Sequence, residues 1–69
     1  MNEHIKQRCI HEESIHLNNL KNIEKKYDIA FDNASTYEEL LELERWAEVT
    51  RENEMKRFAN VMRKLLTEE

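Results

Sequence analysis

The chain has 69 residues with no glycine, no proline and one cysteine, and eleven Lys+Arg against fifteen Asp+Glu give a formal charge of -4. Without glycine there is no phosphate-cradling loop, dinucleotide fingerprint or nucleophile elbow, because each needs backbone that only glycine permits. A single cysteine excludes an internal disulfide and a multi-cysteine zinc cage and suits a reducing compartment, so a cytoplasmic location is expected.

No apolar run approaches the ~20 residues of a membrane span, and the start Met1-Asn2-Glu3-His4 lacks the basic opening and apolar centre of a signal peptide. A chain of this size holds one domain and buries only ~60% of its unfolded surface. With both strong breakers absent and Leu, Glu, Lys, Arg and Met abundant, helix is expected almost throughout. Ile5, Cys9, His16, Leu20, Ile23 and Tyr27 recur at three-, four- and seven-residue spacings, which places them on one side of a first helix near 3–27. Ile10 and Leu17 flank that stripe.

Residues 28–35 follow as a corner. Asp32-Asn33-Ala34-Ser35 is rich in capping and turn residues, and Ser35 with Glu38 has the spacing of a capping box. Asn33 is the expected left-handed residue, since no glycine is available. Ile29, Phe31 and Ala34 are expected to fold over the open end as a plug, or else to form a partner-binding tip.

A second helix is expected near 36–67, with Leu41, Met55, Phe58, Met62 and Leu65 as its stripe and Tyr37, Leu40, Ala47, Ala59 and Leu66 widening it. Val49-Thr50 is a weak point where a three-helix alternative could break. Against a break, residues 38–54 hold seven glutamates and two arginines, whereas 55–66 hold four bases and no acid. Acid early and base late is what one helix dipole favours. The expected fold is therefore all-α, an antiparallel helical hairpin. A two-helix layer is thin, and a homodimer packing as a four-helix bundle is the natural remedy.

Written in heptads, the second helix reads Leu41, Glu44, Glu48, Arg51, Met55, Phe58, Met62, Leu65, with charge at three successive seam positions. Folding about residue 32 sets Glu13 near Arg51 and His16 near Glu48. One account is a structural salt-bridge layer, which penalises wrong registers. Another is a metal centre for iron, manganese or zinc. In a dimer the Glu-x-x-His step Glu13/His16 would join Glu48 or Glu44 of the second helix, as in carboxylate-bridged four-helix bundles. Arg51 opposes a dication at that level. Cys9 fits a buried small hydrophobe, and His4 and His11 fit surface residues.

Overall acidity speaks against nucleic acid. A basic outer face of the first helix, with Arg8, Lys21, Lys25 and Lys26, nevertheless offers an RNA- or DNA-binding alternative. The leading expectation is a non-enzymatic module that binds another protein. Leu43, Trp46 and Val49 lie off the stripe and would stay wet in a monomer, and Glu42 adds acidity beside them. An aromatic anchor in an acidic surface suits a basic, apolar-edged partner. No catalytic set is present in the pattern.

Overall fold

The computed structural model describes residues 2–67. It is all-helical, with α1 spanning Glu3–Asn33 and α2 spanning Tyr37–Thr67, packed as an antiparallel hairpin. Asn2 caps α1, its side-chain oxygen accepting from the backbone N–H of His4 at 2.8 Å and of Ile5 at 3.2 Å. No break occurs at Thr50, and α2 runs on to its basic last turn at Lys64.

The corner is shorter than the sequence pattern predicts. α1 continues past Tyr27 because nothing in Asp28–Asn33 stops it, and extending a formed helix costs far less than starting one. Ile29 and Phe31 are therefore helical and exposed, with no plug over the end. The chain reverses in Ala34–Thr36, with Ala34 extended and no positive φ among the described residues, so Asn33 is not left-handed. Asn33 instead donates its side-chain amide to the carbonyl of Ile29 at 2.9 Å. The capping box forms one residue later than expected. Thr36 accepts from the backbone of Glu39 at 3.1 Å, and the Glu39 carboxylate reaches back to the Ser35 N–H at 2.9 Å.

Moving the fold point changes every cross-helix pairing. His16–Glu54, Glu12–Arg57 and Tyr27–Glu44 are all centred on or beside Ser35 rather than on Asp32. A shift of three residues at the corner displaces each partner by six on α2, so His16 meets Glu54 and not Glu48.

The face of α2 is also turned by one residue. Its inner side carries Leu40, Leu43, Ala47, Thr50, Glu54, Phe58, Val61 and Leu65, all buried or half-buried. The expected seam residues Leu41, Glu44, Glu48, Arg51 and Met55 are exposed. Ala47 is fully buried, its methyl group letting the two backbones approach. Leu43 accordingly belongs to the hairpin's own seam and not to an outward surface. Among the described residues the buried apolar ones are Ile5, Ile23, Ala47 and Leu65, and none of the described large side chains is fully enclosed.

Candidate interaction surface

The polar layer inside the hairpin is built around Glu54. Its carboxylate accepts from Nδ1 of His16 at 2.7 Å, from the Asn19 amide at 2.9 Å, and from Nε and a terminal nitrogen of Arg57 at 2.9 and 3.0 Å. Arg57 also faces Glu12 at 3.5 Å. The His16 ring stacks on Phe58 with centroids 4.2 Å apart, which covers one face of the imidazole. Hydrogen bonding from Arg57 outweighs burial and, with His16 and Asn19, holds the Glu54 carboxyl down at about 2. The same bond raises Arg57 above its ordinary value. No buried side-chain nitrogen or oxygen among the described residues lacks a partner.

The four residues of the metal alternative do not converge within this hairpin. His16 is committed to Glu54, Glu44 accepts from the Tyr27 hydroxyl, and Glu13 and Glu48 point to solvent. Among the described residues no group of three or more His, Cys, Asp or Glu side chains is placed to hold a metal ion. The expected pairs Glu13–Arg51 and His16–Glu48 are replaced by Glu12–Arg57 and His16–Glu54, for the register reason given above. Sequence carried a trace of this: Glu54 and Arg57 are one helical turn apart, the spacing of a supporting ion pair.

The largest departure from a self-sufficient fold lies on one flank. On α1, Ile10, Leu17 and Phe31 recur at multiples of seven, and on α2 Leu41 and Met55 do the same, with Tyr37 and Leu66 extending the row. These are seven of the ten large hydrophobic residues left exposed. The rows share one side of the hairpin. The Tyr27 hydroxyl spans the helices to Glu44, and Arg51 lies over the Tyr27 ring at 5.9 Å. A hollow of about 390 Å³ there is lined by Leu20, Glu24, Tyr27, Asp28 and Arg51. The hydrogen bond to Glu44 raises the Tyr27 hydroxyl above its ordinary value.

Of the expected partner surface, Trp46, Val49 and Glu42 lie away from that flank. Trp46 is 39% exposed and borders a groove of about 420 Å³ with Asn19, Asn22, Ile23, Lys26 and Asn53. Val49 and Glu42 are exposed further round α2. Arg8, Lys21, Lys25 and Lys26 are all exposed, but of these only Lys26 lines the Trp46 groove, and they form no single row along α1.

No helix among the described residues is long and apolar enough to cross a membrane. No family model, curated protein or solved structure matches the chain.

Proposed function

We propose that this chain is a non-enzymatic protein-binding module that works as a homodimer, two hairpins pairing through the open flank to close a four-helix bundle. The observation that carries it is the concentration of seven exposed large hydrophobics on one side of a hairpin whose buried apolar core is four residues. Monomeric proteins rarely leave such a contiguous patch wet. The flank divides by charge. Near the chain ends, Ile10, Leu17, Met55 and Leu66 are exposed, with Lys6 and Glu13 among the charged residues beside them. Towards the turn, Glu24, Asp28, Glu44 and Glu48, with Arg51 beside them, lie before Phe31, Tyr37 and Leu41, which sit next to the corner. Pairing the end-proximal halves antiparallel, with the turns pointing away from each other, joins the less acidic surfaces and keeps the turn-side carboxylates apart.

The Cα dimensions of 52 by 16 Å imply that half the flank, counted on both copies, buries on the order of 1,000 Å². That is the lower bound for a specific interface, so micromolar association is expected. Sedimentation velocity across a micromolar dilution series tests it. A dimer that dissociates on dilution, and that Leu17→Glu/Met55→Glu renders monomeric, supports the reading. A wild-type chain that stays monomeric throughout overturns it.

A further inference from the structure

We infer that the turn-proximal half of the open flank is a docking surface for a basic, apolar-edged amphipathic helix of another protein. This rests on the protein-binding reading but not on the dimer. Phe31 and Leu41 are each 51% exposed and face the same side from opposite helices, one turn from the corner, and Tyr37 stands beside them at 73%. Apolar area of this kind calls for a cover.

The surrounding charge selects what covers it. Glu24, Asp28 and Glu48 are exposed and have no ion-pair partner among the described residues, while Glu44 is held by the Tyr27 hydroxyl. Of the cations nearby, Arg51 lies over the Tyr27 ring and Arg45 borders Leu41 in company with Glu38 and Glu42, so the surface stays acidic on balance. A second copy of this surface would set carboxylates against carboxylates, and a phosphate backbone or anionic membrane would meet the same repulsion. A helix with lysines or arginines bordering an apolar stripe satisfies both features. Its apolar side chains cover Phe31 and Leu41, and its cations reach Glu24, Asp28 and Glu48. The hollow beside Leu20 and Tyr27, about 390 Å³, has room for one large side chain of the incoming helix. In the antiparallel dimer the two docking surfaces sit at opposite ends, so the assembly is bivalent.

The probe is a fluorescein-labelled amphipathic peptide of leucine and lysine, about 18 residues or five helical turns long, read by anisotropy. Its counterpart has glutamate at every lysine. The lysine peptide is expected to bind in the micromolar range and the glutamate peptide not at all. Glu24→Lys/Glu48→Lys should weaken binding by about ten-fold or more, whereas Glu3→Lys/Glu52→Lys, the same change of net charge elsewhere, should alter it by less than about two-fold. Phe31→Ser/Leu41→Ser should weaken it with the charges intact, helicity being followed by circular dichroism. Equal weakening by both charge reversals would reduce the effect to net charge and overturn the proposal, as would equal binding of the two peptides. Absent binding by a chain that still dimerises overturns this proposal alone. Retained, site-specific binding by a monomeric chain overturns the dimer alone.

Discussion

The two halves of the open flank are built from the same two helices at the same heptad spacing, yet they present different chemistry. Near the chain ends the exposed row is Ile10, Leu17, Met55 and Leu66; near the turn it is Phe31, Tyr37 and Leu41 set among four carboxylates. Hydrophobic burial has no direction and alone would let either half pair with itself. Charge separates them, because a half with little net charge tolerates its own copy and an acidic half does not. On the proposed reading, one flank serves self-association at one end and a different, basic partner at the other.

The largest effect should come from the layer that keeps the halves in register. Glu54→Ala leaves His16, Asn19 and Arg57 without their shared acceptor and should cost about 3–5 kcal/mol in chemical denaturation. The double replacement His16→Leu/Glu54→Leu should recover most of that loss, since matched apolar groups need no partners. Recovery of stability with altered dimerisation would show that the layer sets alignment; failure to recover would show that it stabilises the fold directly.

Next in size is the contrast between halves. Leu17→Glu/Met55→Glu buries two charges in the dimer contact at about 1–3 kcal/mol each, so the dissociation constant should rise about 100-fold or more. Phe31→Glu/Leu41→Glu makes the same chemical change in the turn half and should leave the dimer within about two-fold. Equal effects in sedimentation would erase the distinction.

A smaller effect is expected from acid. The folded Glu54 carboxyl lies at about 2 against an ordinary 4.5, so the stability it contributes is fully present above 4.5 and is lost as pH falls towards 2. Thermal melts should fall progressively through that window, and Glu54→Gln should flatten the decline. Smallest of all, Trp46→Phe lies off the flank and should shift stability and dimerisation by no more than about 0.5 kcal/mol. A large loss of self-association there would move the interface to the Trp46 groove.

Much of this architecture was legible in the chain. The lack of glycine and proline and the acid-to-base gradient of residues 38–66 called for a continuous second helix. The spacing of Ile5, Cys9, His16, Ile23 and Tyr27 marked the inner side of α1. The second helix was harder, because two adjacent rows are both apolar enough to be a seam. Leu41, Met55, Met62 and Leu66 form one, and Leu40, Leu43, Ala47, Val61 and Leu65 form the other. Periodicity measures spacing and does not tell which of two neighbouring rows faces inward. The fully buried Ala47 was the available clue, since a small residue flanked by seam positions lets two backbones come close.

By itself the sequence determined an all-helical chain, one reversal near residues 28–35, and a pairing that had to place some charge inside. These follow from local propensity, capping chemistry and spacing, which act over a few residues. Only the tertiary structure decided the pivot at Ser35, and with it the meeting of His16 with Glu54 and the row of α2 left open. Cross-helix register doubles any error at the turn, so three residues of corner relocated every long-range partner by six. The open flank is that consequence made visible: of the stripe that spacing marked as the core, Phe58, Met62 and Leu65 turn inward while Leu41 and Met55 lie outside.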